Sequence, residues 1–295
     1  MYDMLTVLIP TRNRPDDLRQ SLEHAKDCGL NELRHIIYDD ASDNVAATIA
    51  AAEVVPNSMV LRGQTRIGQA GGRNILLKEC KTPYALLMED DTWFTDARSL
   101  ADVLNKDLYY EGIGTASVVC SQIFRTYDGM VWFPAELKTC RVLNPVGAGC
   151  IVKVKDIINV GAFRSYWRYR HEETELGLRL WKNNLPVVYD ASLVVEHCHT
   201  PAARSSHEYQ RNSARNLILM HTLNLPGVFG FPLGFLRSLR LLLVKEYKWS
   251  AIIAGVFEGV CDSLRHRDDI LPMQKNRYIE LRAFQQALKK HMEMS

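Results

Sequence analysis

Three acids stand side by side at Glu89-Asp90-Asp91, directly after the apolar run Tyr84–Met88. Carboxylates packed this closely repel one another unless a cation or strong donors neutralise them, and hard oxygen ligands of this kind suit Mg2+ or Mn2+. The bland reading is a solvated acidic turn that caps the next helix near Asp96. The strand before the run and the other acid clusters favour the metal. Asp40 follows a second apolar run and sits in the turn-forming segment Asp40-Ala41-Ser42-Asp43. A carboxylate there can accept from a base N–H or a ribose hydroxyl; the segment is also good capping material, a task that suits Asp43 better. Glu172, Glu173 and Glu175 open a helical pattern, where the helix dipole by itself favours negative charge. One of them facing a cleft can instead serve as general base toward a hydroxyl nucleophile. His197 and His199 alternate along a strand end and so point to opposite faces, one placed to ligate a metal and the other incidental.

These residues need a scaffold that brings distant positions to one edge, and the hydrophobic pattern predicts one. Leu5–Ile9, His35–Asp39, Met59–Leu61 and Tyr84–Met88 read as strands. Pro15–Cys28, Val45–Glu53 and the stretch from Gly68 to Glu79 read as helices, the last opened by a Gly-rich turn that lacks the full dinucleotide fingerprint. Strands alternating with helices imply an α/β domain with a parallel sheet and ligands at the carboxyl ends of its strands. Pro10-Thr11-Arg12-Asn13, Asp39-Asp40 and Glu89-Asp90-Asp91 end three of those strands and should converge. Further on, Ser117–Ile123 and Val146–Val152 read as strands, with Gly147 and Gly149 permitting close backbone approach in the second. Glu172–Asn183 reads as an amphipathic helix with Leu176, Leu180 and Trp181 inward, Val187–Tyr189 and Leu193–Val195 as extended, and nearly everything after His207 as helix.

Composition narrows the function classes. The 295 residues are 47% hydrophobic and 24% charged, with a formal net charge of +2, an ordinary folded chain without the basic excess of a duplex-DNA binder. The cysteines are odd in number and scattered, with no CxxC pair, which predicts reduced thiols in a cytoplasmic protein. The N-terminus carries no signal-peptide pattern, and no apolar run is clean enough to span a membrane. Residues 226–295 differ from the rest in charge, with 11 Lys/Arg against 7 Asp/Glu. On a helical wheel Phe235, Leu236, Leu239, Leu242 and Leu243 share one face opposite Arg237, Arg240, Lys245 and Lys248. A basic amphipathic helix over 233–248 can lie on an anionic membrane, at the inner face of the cell membrane for a cytoplasmic protein; equally it can pack on the domain with snorkelling basic side chains.

Taken together the segments resemble the inverting family 2 glycosyltransferases of the GT-A fold over roughly residues 4–225. TVLIPTRNRPDDL is similar to that family's first strand and Pro-Thr-x-Asn turn, IIYDDASDN to its Asp-Asp-x-Ser turn, and RIGQAGGRNILL to its Ala-Arg-Asn helix start. YALLMEDDTWF resembles the strand with a DxD-like metal motif, and NPVGAGCIVKVKDIINVGAF the Gly-containing strand before a Gly-Gly-Phe turn. RHEETELGLRLWKNN resembles the helix that bears the catalytic base, and VVEHCH the strand that ends in a histidine. The resemblance implies a mostly parallel nucleotide-binding sheet flanked by helices over residues 1–225, with a helical extension at 226–295. It implies that Thr11, Asp40 and Arg73 contact the base and ribose of a nucleotide-diphosphate sugar, within a donor set completed by Pro10, Arg12, Asn13, Arg66, Gly68, Asp90 and Gly149. Glu89, Asp91 and His197 would hold Mn2+ or Mg2+, and Glu173, with Glu172 beside it, would be the base. Met88 falls where the first acid of the DxD motif aligns, Glu173 replaces an aspartate, and Arg66 and His171 stand where asparagine and glycine are common. The Arg211-Asn212 pair resembles a rhamnosyltransferase-like branch that builds bacterial surface polysaccharides.

The implied activity is a metal-dependent inverting transfer of sugar from a UDP, dTDP or GDP donor to an acceptor hydroxyl, on a lipid-linked glycan or another acceptor. A sugar nucleotidyltransferase would want a Gly-rich loop after the first strand, which here is Thr-Arg-Asn-Arg-Pro-Asp-Asp. A non-catalytic nucleotide-sugar-binding partner of a membrane-surface assembly is the alternative from another class. No nucleic-acid-binding motif is present.

Overall fold

The computed structural model describes residues 3–125, 131–132, 138–167, 169–198 and 206–294. The first half alternates as its pattern predicts: β1 (Leu5–Thr11), α1 (Pro15–Asp27), β2 (Arg34–Asp39), α2 (Val45–Ala52), β3 (Ser58–Arg62), α3 (Gly68–Glu79) and β4 (Tyr84–Leu87). Helix starts follow local chemistry. Pro15 occupies the first turn of α1 with Asp16 and Asp17, and the Asn44 side chain accepts from the Ala47 amide to cap α2, so Asn44 rather than Asp43 does the capping.

Next come β5 (Thr92–Phe94) and α4 (Ala97–Asn105), which Asp96 caps, and a small hairpin of β6 (Tyr109–Tyr110) with β7 (Gly114–Thr115). There follow β8 (Val118–Arg125), β9 (Val131–Trp132), β10 (Cys140–Val142), β11 (Cys150–Lys153), α5 (Val154–Asn159), α6 (Glu172–Lys182) and β12 (Val187–His197). The expected strand over 146–152 begins only at Cys150, because Gly149 takes a left-handed φ of 104°. The two extended pieces at 187–189 and 193–195 are one strand with an irregularity between Asp190 and Val194.

The main sheet runs β10-β12-β8-β11-β4-β1-β2-β3. Its β4-β1-β2-β3 half is parallel, and β1 is buried on both faces, as its unbroken apolar run requires. The other half is mixed: β11 runs antiparallel to β4 and β8, while β12 is parallel to β8. The expectation of a mostly parallel sheet therefore holds for the first four strands and gives way beyond them. Apolar clusters cover both faces, one joining α3, α5, α6 and α7 to the sheet and the other α1, α2 and α4. This is an α/β sheet flanked by helices, with a helical C-terminal region.

That region comprises α7 (His207–Asn224), α8 (Gly227–Arg240), α9 (Trp249–Arg265) and α10 (Lys275–Met294). The amphipathic helix expected over 233–248 does not form. It stops at Arg240, passes through a 3-10 turn at Leu241–Leu243 and becomes extended at Val244. Gln210 of α7 fixes the break: its side chain accepts from the Lys248 amide and donates to the Glu246 carbonyl. Nor does the leucine face pack inward. Gly230, Gly234 and Ser238 of α8 lie against α7, and Gly255 and Gly259 of α9 approach its backbone so closely that a Cβ at Gly255 would overlap the Arg211 carbonyl. Small residues set these contacts, so Leu236 and Leu243 stay exposed. No helix among the described residues is long and apolar enough to cross a membrane, and all the cysteines are free thiols.

Candidate active site

The carboxyl ends of β1, β2 and β4 bring the predicted acids to one edge. Thr11 ends β1, and its hydroxyl donates to Asp90 Oδ2 at 2.7 Å. Asp90 and Asp91 are buried in the short turn between β4 and β5, with Glu89 partly open beside them. β12 pairs antiparallel with β5 and delivers His197 opposite Thr92. His197 Nε2 lies 3.2 Å from Asp91 Oδ1 and 3.6 Å from Glu89 Oε2. One ligand atom each from Glu89, Asp91 and His197 falls within 4.8 Å of the others. His199 lies outside the described residues.

Electrostatics separates the two aspartates. Burial, together with Asp91 and Glu89 nearby, pushes Asp90 up to about 7 in spite of Arg14 and Thr11. Burial also works against ionised Asp91, but His197 and Arg14 more than offset it and hold that carboxyl down at about 2. Arg14 bridges the pair, Nη1 to Asp90 at 2.8 Å and Nη2 to Asp91 at 2.9 Å, while its Nε holds Asp17. Sequence reasoning passed over Arg14, since nothing in spacing connects it with acids 76 and 77 positions away; its one signal is a cation in the turn after the first strand.

A second acid group faces this edge from the start of α6. Arg170 and His171, which precede the helix, both have left-handed φ, 77° and 62°. That conformation explains why glycine is favoured where His171 stands. The turn sends Glu172 into the interior and leaves Glu173 partly exposed. Burial, then Glu173, pushes Glu172 up to about 8 against the pull of Arg73, so Glu172 is neutral where Glu173 is available. Arg73 joins the groups: its Nη1 donates to Glu173 at 2.7 Å and its Nη2 to Glu89 at 3.3 Å. Phe163 lies 5.4 Å from the guanidinium, and Gly147 leaves the space that it fills. Gln69, also missed, donates to Glu89 at 2.8 Å.

Several donor-set expectations take a different place. Arg73 was expected against base and ribose, yet it is fully enclosed and spent on carboxylates, because Gly147 and Phe163 close over it. Asp40 accepts from the Ile67 and Gly68 amides at 2.7 and 2.9 Å, which fastens the N-terminus of α3. Asn13, with φ of 55°, exchanges hydrogen bonds with Asp43. Arg66 is exposed and lies 3.5 Å from Glu208, away from the acids. Gly149 sits under Val195, where a Cβ would approach to 2.6 Å, so it shapes the sheet and offers no ligand surface. Pro10 packs near Gly72, Gly68 supplies the left-handed start of α3, and the Arg12 Nε is buried without a partner among the described residues.

The arrangement can hold a divalent cation between two carboxylates and an imidazole, and it presents a separate carboxylate, Glu173, at a fixed distance across Arg73. Comparison with known proteins bears on the family and the fold. The family model described as glycosyl transferase family 2 matches residues 6–174. Similar solved structures include a mannosyltransferase from Pyrobaculum calidifontis in complex with GDP-Man and Mn2+, at 15% identity and a TM-score of 0.58 over 88% of this chain and 87% of that one. S. aureus TarS residues 1–349 gives 14% identity and a TM-score of 0.59 over 86% of this chain and 81% of that one. GalNAc-T7 with UDP, GalNAc and Mn2+ gives 11% identity and a TM-score of 0.59 over 86% and 54%. At these identities the likeness shows the fold. The chain has no sequence match among curated proteins.

Proposed function

The chain belongs to glycosyltransferase family 2, and from that premise we propose that it moves a sugar, with inversion, from a nucleotide-diphosphate donor to an acceptor hydroxyl in a divalent-metal-dependent reaction. One observation carries this reading: Glu173 and the Glu89–Asp91–His197 cluster are tied together by the single buried guanidinium of Arg73. That link holds a partly exposed carboxylate at a set position relative to a cation site, which is what a general base and a leaving-group site require.

The donor set fits Mn2+ or Mg2+. Two carboxylate oxygens and an imidazole nitrogen converge, with Asp91 Oδ1 3.2 Å from His197 Nε2. The bound ion would supply positive charge to the departing diphosphate. Glu173 Oε accepts the proton of the acceptor hydroxyl as that oxygen bonds to the anomeric carbon. The bond from that carbon to the diphosphate oxygen breaks on the opposite face, which inverts the centre. Arg73 orients Glu173 through the hydrogen bond from its Nη1, and a protonated Glu172 beside it adds no second negative charge. Thr11 and Arg14 keep the Asp90 carboxyl fixed beside the site. Among donors, UDP, dTDP and GDP sugars remain the set to compare; GDP-Man and UDP-GlcNAc are the ligands of the similar structures from Pyrobaculum and S. aureus.

The transferase domain spans residues 1–225 in this reading, with 226–295 as its helical extension, and the product is a bacterial glycan. Peripheral membrane contact fits the outward surfaces of α8 and α9 better than one continuous helix. Phe229, Leu236, Leu243, Trp249 and Ile253 are exposed there among Arg240, Lys245 and Lys248. Thermal shift against nucleoside diphosphates and their sugars, with and without Mn2+, tests the donor site. A nucleotide at 100 times its dissociation constant should stabilise by about 2.7 kcal/mol, and Asp91→Asn should weaken the Mn2+-dependent part. No shift with any nucleotide would sink the transferase reading.

A further inference from the structure

The turn that launches α6 is costly and has to be held. Arg170 and His171 both carry a Cβ, yet both take left-handed φ, 77° and 62°. Two such residues in succession persist only where their surroundings fix them. The hold comes from α7. Asn216, fully buried, donates from Nδ2 to the Tyr169 carbonyl and to the Arg170 carbonyl, each at 2.8 Å. The Arg170 carbonyl accepts a second bond from Trp167 Nε1 at 2.8 Å. Three and seven positions back, on the same face of α7, Ser213 Oγ accepts from Arg170 Nε at 3.1 Å and the Tyr209 ring lies 4.4 Å from the Arg170 guanidinium.

Asn216 has its own orientation set for it. A guanidinium offers only donors, so Arg215 Nη1, 2.7 Å from Asn216 Oδ1, keeps the oxygen on its side and turns the amide hydrogens toward the two carbonyls. Arg215 is fixed in turn by Asp262 of α9, which accepts from its Nε at 2.7 Å and lies 2.6 Å from its Nη2. All three side chains are buried. A chain of polar contacts thus runs from α9 through α7 to the turn before α6. Glu172 and Glu173 follow that turn directly, so the backbone at 170 and 171 decides which of them is enclosed. With the turn held, the Glu172 side chain is 4% exposed and that of Glu173 22%, with Glu173 Oε1 bonded to Arg73.

We propose that Asn216 is a positioning residue that, through the 170–171 turn, selects Glu173 rather than Glu172 as the carboxylate presented at the transfer site. Its part in transfer rests on the transferase reading; its hold on the turn does not. Without the two bonds from Asn216, His171 relaxes to a right-handed φ, both carboxylates swing about the chain, and Glu173 leaves Arg73.

Hydrogen exchange at the Glu175 amide, which donates to the His171 carbonyl at 2.9 Å, tests the hold on the turn in the full chain. Asn216→Ala should speed that exchange about tenfold, the worth of two lost neutral hydrogen bonds, while the amides of β1 stay protected. Exchange that rises equally in β1 reduces Asn216 to a general stabiliser and overturns the proposal. Asn216→Asp keeps the size of the side chain and its contact with Arg215 but loses both donors, so it should give the same local release if the truncation unfolds the chain. Adding His171→Gly to Asn216→Ala should return the exchange toward the parent rate, because glycine takes a left-handed φ without a Cβ clash. Unchanged exchange in both Asn216 variants, or no recovery with the glycine, overturns the proposal. Nucleotide release from UDP-glucose, dTDP-glucose and GDP-mannose with Mn2+ reads the effect on transfer. In Asn216→Ala kcat should fall by up to about 10^2, the cost of misplacing a reacting group by roughly 1 Å, with KM unchanged and with recovery on adding His171→Gly. A change in KM alone would place Asn216 outside the positioning of Glu173. A parent chain that releases no nucleotide and shows no nucleotide-dependent melting shift would remove the transferase reading and leave the exchange result to decide what Asn216 holds.

Discussion

Glu173 and Glu175 stand two positions apart at the start of α6, and their surroundings differ completely. Glu175, 1% exposed, accepts from Arg164, Arg179 and Asn224. Despite burial, the two guanidinium groups lower its pKa. On the other side of the helix, Glu172, Glu173 and Glu89 share the single guanidinium of Arg73, and burial, then Glu173, drives Glu172 up against that one cation. One cluster is saturated with positive charge and the other lacks it. The saturated cluster needs nothing further and locks α6 to the loop before it and to α7. The deficient one retains capacity for a proton or a cation, which is what the proposed transfer asks of it.

Substitutions can break that contrast or sharpen it. Glu173→Gln should cut turnover by about 10^2 to 10^4, the usual worth of a general base, while leaving nucleotide-induced thermal shifts in place. Turnover that survives in initial-rate assays would remove Glu173 from the reaction and leave a binding protein as the better account. Glu175→Ala should destabilise the fold by about 3–5 kcal/mol in urea denaturation, because two buried guanidinium groups lose their carboxylate. A stable Glu175 variant that loses nucleotide binding would merge the two clusters into one functional unit.

Smaller effects follow from packing and titration. Gly255→Ala pushes a methyl group into the Arg211 carbonyl, and overpacking of this kind costs about 1–3 kcal/mol; an unaltered melting curve would show that the α7–α9 contact is looser than its geometry. For Glu172, the folded pKa of about 8 lies above the usual 4.5. Its contribution is therefore fully present below about pH 4.5 and is lost as pH rises through about 8. Denaturation measured across that window should show stability that falls with pH in the parent and falls less in Glu172→Gln; parallel profiles would place the burden of burial elsewhere.

Much of the donor edge was legible because it depends on local pattern. Apolar runs such as Leu5–Ile9 can only be buried strands, and the residues that follow them must lie at the carboxyl edge. Thr11, Asp90, Asp91, Glu89 and His197 accordingly meet there. The tail was misread for a related reason. A wheel over 233–248 weighs large apolar residues as the packing face, whereas helix approach to α7 is limited by backbone distance and selects Gly230, Gly234 and Gly255. Pattern alone also had no means to see that Gln210 would fasten the chain at Lys248.

By itself, the sequence determined the α/β order of elements, the acid-bearing edge and the family, since these rest on periodicity and on motifs within a few residues of one another. The tertiary structure alone decided that Arg73 is a buried bridge, that Arg14 clasps Asp90 and Asp91, and that Glu172 is neutral while Glu173 and Glu175 are held by different cations. Charge pairing acts through space over a few ångströms, and partners brought that close by folding, such as Arg73 and Glu173, stand 100 positions apart along the chain.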